Sequence, residues 1–364
     1  MATEAPLRHH RADLGDVDLH FVTAGEGDPV VLLHGWPQTW YCWRRVIPLL
    51  APHHRVVAPD LRGLGESTGP ARYDKRTLAD DVLRLMRDEL GIARFHVVGH
   101  DWGGVTAYSL AAHHPDAAAT LTVVDVTVPG AGGTDIAQGG TRWHHGFHRT
   151  PHLPEELVAG REEVYLGWFY RTFGHRPLPD DDIREYLRTY TRPHNLRAGF
   201  GLYRALPHDI ADNTAVIARG RLRTPVLAVG GGSGWGRGEE VAESLRLVAE
   251  TVHEVVLDEA GHWVPRSSPK PWRVTCSSFS TTPNHPRSSR RRGRLLEAVT
   301  SPSRTLSRAS ASRASALVVI FLEDGSSGSS GRSGGAWSVH KDLQDAVGHG
   351  IVTTTLPLAR PEPT

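Results

Sequence analysis

Cysteine is scarce in this chain of 364 residues, which holds only Cys42 and Cys276. Two thiols cannot build a disulfide framework, and such usage suits a reducing compartment. A surplus of charge is missing too: 41 Lys and Arg face 40 Asp and Glu. So even a balance creates no field that would draw the whole chain to nucleic acid or an anionic membrane. Long hydrophobic runs are also missing. No stretch approaches the roughly 20 apolar residues that cross a bilayer. The N-terminus, MATEAPLRHHRADLG, contains no apolar core of signal-peptide length. These absences predict a cytoplasmic protein with no membrane partner.

What the chain does have is short apolar runs ending in Gly or Asp: PVVLLHG, RVVAPD, FHVVGHD and LTVVDV. Continuous apolar runs of this length fit parallel strands buried on both faces, with functional residues just beyond their carboxyl ends. Helix-like segments lie between them, WRRVIPLLA, TLADDVLRLMRDEL and GGVTAYSLAAHH. The βαβ alternation predicts an α/β fold with a mostly parallel, doubly wound sheet. Residues 1–129 read as the first part of that core, preceded by the alternating strand VDLHFVTAG. Residues 130–215 change character: a Gly-rich segment leads into Trp- and Tyr-rich helical stretches, including EELVAGREEVYLGWFYRTF and HNLRAGFGLYRAL. This predicts a helical cap over the sheet edge, a suitable place for an aromatic pocket. Residues 216–265 return to the core pattern with TPVLAVGG, EEVAESLRLVAE and HEVVLDEAGHW.

From 266 to 364 the composition turns Ser/Arg-rich and loses periodicity, which predicts a largely disordered tail. Only ALVVIFLE reads as a strand there. A core of this type should close with a helix over its last strand, and none follows His262. With G/C-ending codons, residues 266–282 read in another frame give EQPEALARDLLELLDD, an acidic start, a Pro and an amphipathic helix. The tail is therefore expected to be a frameshift product, and the DNA around codon 266 tests this.

The stretch VVGHDWGG carries the chemistry. Gly99-His100-Asp101-Trp102-Gly103 follows a strand and opens a helix, the setting of a nucleophile elbow. The bland alternative is an Asp capping a helix, but the Gly on each side favours the elbow. A Ser at this tip suits an acyl carbon. At an sp³ carbon it would leave an ether that general-base catalysis cannot cleave. A carboxylate leaves an ester, which activated water hydrolyses. Asp101 thus points to epoxides or alkyl halides.

A base must activate that water. His262 is expected in the role, because it sits late in the chain on a loop after a buried run. The base needs an acid to fix its tautomer. Asp125, ending LTVVDV, is favoured, since the loop GGGSGWGRG has no carboxylate before Glu239; Asp258 and Glu259 stay open. The segment HGWP ends another strand, and the backbone N–H groups of Trp36 and Trp102 are expected to form an oxyanion hole.

HGWPQTWYCWR, VVAPDLRGLGES, VVGHDWGG and AGHWVP together resemble the α/β-hydrolase-fold epoxide hydrolases. RPHNLRAGFGLYRALP and AVGGGSGWGRG are similar to the bacterial Cif-type members. The likeness covers about residues 15–265. It implies a catalytic triad of Asp101, His262 and Asp125, with a covalent ester and a diol product. It also implies two cap residues that donate hydrogen bonds to the epoxide oxygen, Tyr203 and His144, with His145 the alternative. Trp36, Trp102 and Trp143 are then expected to wall the substrate pocket. The expected reactants are a small apolar epoxide and water, with no metal or organic cofactor. Nothing in the sequence excludes a homodimer.

Other readings share parts of this pattern. A haloalkane or haloacid dehalogenase would use the same triad, but the former usually has Asn where Trp36 stands and fluoroacetate dehalogenases have Arg where Trp102 stands. An esterase lacks its Ser. A truncated, inactive homologue or a ligand-binding module is also compatible with the sequence. RWHHGFH could be a solvated cluster or a weak metal site. The basic run Arg287–Arg294 attracts phosphate nonspecifically, and no specific nucleic-acid partner is expected.

Overall fold

A computed structural model of the chain describes residues 6–133 and 135–267, and the backbone of 273–279 and 314–320. Eight strands form one sheet: β1 Arg8–Asp13, β2 Asp18–Ala24, β3 Asp28–Leu33, β4 His54–Pro59, β5 Phe95–His100, β6 Ala118–Val124, β7 Val226–Gly231 and β8 Val252–Leu257. Their order is β1-β2-β4-β3-β5-β6-β7-β8. The first two strands run antiparallel to their neighbours, and the pairs from β4 through β8 are parallel. Every residue of β5 and β7 is buried, as continuous apolar runs require in a sheet covered on both faces.

Register fixes where the chemistry emerges. Leu33 pairs with Gly99, His100 with Val124, Val124 with Val229, and Gly231 with Leu257. The parallel strands therefore end together. The residues that follow β3, β5, β6 and β8 are delivered to one edge, the usual place for a site in an open α/β sheet.

The helices are α1 Ile47–Leu50, α2 Lys75–Arg84, α3 Trp102–His113, α4 His144–Arg149, α5 Leu153–Val158, α6 Glu162–Thr172, α7 Asp180–Tyr190, α8 Pro193–Arg204, α9 Leu206–Ile217, α10 Glu240–Arg246 and α11 Val264–Ser267. Helix α2 starts where the Asp74 carboxylate accepts from the Thr77 N–H. Helix α3 is buried from Trp102 to Ala111, and packs on β5 and β6. The insertion between β6 and β7 carries α4 to α9, and α9 returns to rest on α3. Helix α7 opens with Asp180, Asp181 and Asp182 after Pro179, which complements the positive end of its dipole.

Three local expectations differ from the structure. WRRVIPLLA does not form one helix: Trp40–Trp43 is a 3₁₀ turn and α1 is a single turn with Pro48 in it. EELVAGREEVYLGWFYRTF is split into α5 and α6 at Gly160, whose φ is +74°. Strand β1, RHHRAD, was invisible to hydrophobic alternation because five of its six residues are exposed. The tail and the shifted-frame helix lie outside the described residues, save that Arg273–Phe279 and Ala314–Ile320 pair as an antiparallel ladder. The second coincides with ALVVIFLE; no strand was expected at the first.

Candidate active site

Asp101 stands at the junction of β5 and α3 with φ 52° and ψ −128°. A non-glycine residue with positive φ is uncommon and clusters at functional sites. The turn is possible because its neighbours lack side chains. A Cβ on Gly99 would lie 2.1 Å from the Gly103 carbonyl oxygen, and one on Gly35 would lie 2.3 Å from the Asp101 Cβ. The Asp101 N–H is tied to the Val124 carbonyl at 3.1 Å. Its Oδ1 accepts the Trp36 backbone N–H at 2.9 Å, so one expected oxyanion-hole donor already touches the carboxylate. The Trp102 N–H, the other expected donor, is the first of α3, where backbone N–H groups have no intrahelical partner.

His262 places Nε2 3.6 Å from Asp101 Oδ2, and its Nδ1 lies 2.7 Å from Asp125 Oδ2. The loop after β8 is held by the His262 N–H, which donates to the Phe173 carbonyl at 2.8 Å. Asp125 is fully buried, also with positive φ at 52°. Its Oδ1 accepts two backbone N–H groups, from Gly231 at 2.9 Å and Arg237 at 2.8 Å. Burial alone would raise its pKa. The hydrogen bond to His262, the charge on that ring when protonated and the two N–H groups reverse this and hold it below the ordinary carboxylate value. The loop that carries no carboxylate of its own thus adds backbone donors to the His262 hydrogen bond that holds Asp125 low. Asp258 and Glu259 are exposed, and the carboxylate that meets His262 is that of Asp125.

A pocket opens above Asp101. Asp101, His262, His144, His145, Tyr203, Arg142 and Arg237 line it, together with Trp36, Trp102, Phe169 and Phe173 among other apolar groups. The Tyr203 ring meets Trp102 edge-on at 4.9 Å and Trp36 at 5.5 Å. Burial, and then the Asp101 charge, push its phenol well above the usual value, so it stays a donor. Burial lowers His144 to about 3 and His145 to about 2, aided in His144 first by the Arg142 charge and in His145 first by His144. Both rings are therefore neutral, and among the described residues each buried Nδ1 has no partner. The third ring, His148, is engaged through Nε2 with the Tyr165 hydroxyl. Among the described residues no three His, Cys, Asp or Glu side chains group as metal ligands.

One expected pocket wall is misplaced. Trp143 is 44% exposed and does not line the cavity. It precedes α4 and packs against Trp168 and Phe169 on the outside, while the helix turns His144 and His145 inward.

The α/β hydrolase fold family profile matches residues 28–265. The chain belongs to the α/β-hydrolase family. A soluble epoxide hydrolase of Corynebacterium sp. (strain C12) is 37% identical over 280 residues, covering 74% of this chain and 95% of the relative. A fluoroacetate dehalogenase of Burkholderia sp. is 35% identical over 207 residues, covering 53% and 67%. The crystal structure of Cfl2 from Burkholderia cenocepacia matches with a TM-score of 0.69 and 40% identity, over 74% of this chain and 94% of that one.

The sequence reading missed three residues of this α/β hydrolase site. Lys75 is buried, with Nζ 4.2 Å from the centre of the Trp102 ring, 2.8 Å from Asp209 and 2.7 Å from the Leu202 carbonyl. It joins the residue after the elbow to the helix segment that carries Tyr203. His100 is buried below the elbow and its Nε2 meets the His262 carbonyl at 2.8 Å. Burial, then the neighbouring His262, lower it to about 4. Arg142 reaches the pocket wall from the cap. No local pattern announces any of these, because each acts through partners distant in the sequence. No helix among the described residues is long and apolar enough to cross a membrane.

Proposed function

We propose that the chain opens epoxides through a covalent ester on Asp101 and hydrolyses that ester to a vicinal diol. The observation that carries this reading is a carboxylate at a strained elbow tip, 3.6 Å from an imidazole that is itself held by a buried Asp125. Oδ1 of Asp101 is occupied by the Trp36 N–H, which leaves Oδ2 as the attacking atom. Oδ2 bonds to a ring carbon while the carbon–oxygen bond of the epoxide breaks. Tyr203 and His144 donate hydrogen bonds to the departing oxygen, which is otherwise a poor leaving group. His262 then takes a proton from water, and the hydroxide adds to the ester carbonyl. The negative charge forms on Oδ1, against the Trp36 N–H. Collapse expels Oδ2 with the diol, His262 returns its proton to that oxygen, the proton left on the Asp101 carboxyl passes through solvent to the alkoxide oxygen of the opened epoxide, and Asp101 keeps the oxygen of water.

The aromatic walls favour an epoxide with an apolar body. The relatives named epoxide hydrolase support the same substrate class. The test is a His262→Gln variant mixed with styrene oxide, in which Asp101 should gain the mass of one epoxide and release no diol. An unmodified Asp101 would count against the mechanism. Halide release from a chlorinated alkane by the unaltered protein, with no diol from styrene oxide, would favour a dehalogenase.

A further inference from the structure

The pocket wall contains a cation without a counter-ion. Arg142 is 3% exposed, yet among the described residues no carboxylate lies within ion-pair distance of it. Its Nε donates to Gln138 Oε1 at 2.8 Å and one terminal nitrogen to the Trp235 carbonyl at 2.6 Å. Both acceptors are neutral. Among the described residues the other terminal nitrogen, Nη1, has no hydrogen-bond partner, and it is not sealed among the buried unpartnered atoms. The neighbouring Arg237 is differently placed, since its guanidinium meets Glu240 and the Ile136 carbonyl. Arg142 and Arg237 both line the cavity that holds Asp101, and of the two only Arg142 has no carboxylate partner among the described residues.

A buried guanidinium without an anion is costly, and its planar fork suits a carboxylate above other groups. It also answers a problem of catalysis: a carboxylate nucleophile repels an anionic substrate unless a cation neutralises the second charge. We propose that Arg142 binds a carboxylate on the substrate, so that the preferred epoxide carries both an apolar body and an acid group, of which the aromatic glycidates are the simplest type. This rests on the epoxide reading above and names its substrate class.

Two matched pairs of probes test it. The first is 3-phenylglycidate against trans-β-methylstyrene oxide, in which a methyl replaces the carboxylate. The second pair does not react: 3-phenylpropanoate against its amide, with binding followed by calorimetry. The unaltered protein should favour the acid in both pairs by about tenfold or more, the scale of one charge-assisted pair. Arg142→Gln should remove that preference, and Arg142→Lys should restore part of it. Equal handling of acid and neutral probes by the unaltered protein would overturn the proposal. So would an Arg142→Gln variant that loses both members of a pair equally, because Arg142 would then only brace the cap. If neither epoxide is turned over, the epoxide reading fails, while the binding pair still decides whether Arg142 holds a carboxylate.

Discussion

Replacing Asp125 by Asn separates the two halves of the proposed reaction. The Asn side-chain oxygen can keep both backbone bonds, from Gly231 at 2.9 Å and Arg237 at 2.8 Å. Its amide must then face His262 Nδ1, where a carboxylate oxygen now sits at 2.7 Å. An amide donates there instead of accepting. The imidazole is forced to carry its proton on Nε2, the atom that faces Asp101, and ceases to be a base. The backbone bonds survive, so the cost to folding should stay near 1 kcal/mol. The cost to ester hydrolysis should be about 10³–10⁴-fold, or roughly 4–5.5 kcal/mol in the barrier. Attack by Asp101 Oδ2 does not need the base. Rapid-quench kinetics should therefore show about one epoxide consumed per enzyme, no matching diol, and an ester in the intact mass spectrum. A turnover rate within tenfold of the parent, or a slow variant that accumulates no ester, would refute the reasoning.

Tyr203→Phe removes one of two donors to the leaving oxygen and should lower the rate of ester formation by about 10²–10³-fold, measured by single-turnover quench. Because Tyr203 is pushed well above its usual pKa, its ionisation should add no alkaline limb to that rate below the range of an ordinary phenol. Gly35→Ala puts a Cβ 2.3 Å from that of Asp101 and must displace the nucleophile; at least a ~10²-fold loss of activity is expected, with the far-UV spectrum retained. Acid should destabilise the fold through His100, whose pKa is lowered to about 4. From the ordinary value near 6.5 down to that value, the unfolded chain binds a proton there and the folded chain does not. The His100 contribution is complete above that window and should fall by about 3 kcal/mol across it, beside those of His144, His145 and His96, and His100→Asn should reduce the slope in denaturant titrations at several pH values by that one share.

The core of the site was legible because the sheet makes it so. Asp101 and Asp125 directly follow buried apolar strands; His262 follows β8, which was expected to be buried but is half-exposed, and parallel strands in register deliver all three to one edge. Gly99 and Gly103 announced the elbow through the absence of side chains. The cap was read less well, because its functional faces depend on how short helices rotate. Trp143 and His144 are adjacent in sequence, yet one lies outside and the other inside. Arg142 could not be read as a pocket cation, since what distinguishes it is a missing partner, a property of the tertiary arrangement. Arg266 stands at the end of the motif AGHWVP and shows the reverse case. It is buried against Asp182, which Arg44 also engages, and among the described residues its Nε and Nη1 have no partner.

The central claim is that the new oxygen of the diol comes from Asp101 and not from water. A single turnover in ¹⁸O-labelled water, with enzyme in excess over epoxide, tests it directly. The account predicts an unlabelled diol and one labelled oxygen in the peptide that contains Asp101. Label in the diol on the first turnover, with an unlabelled Asp101, would mean that water attacks the epoxide itself and would contradict the account.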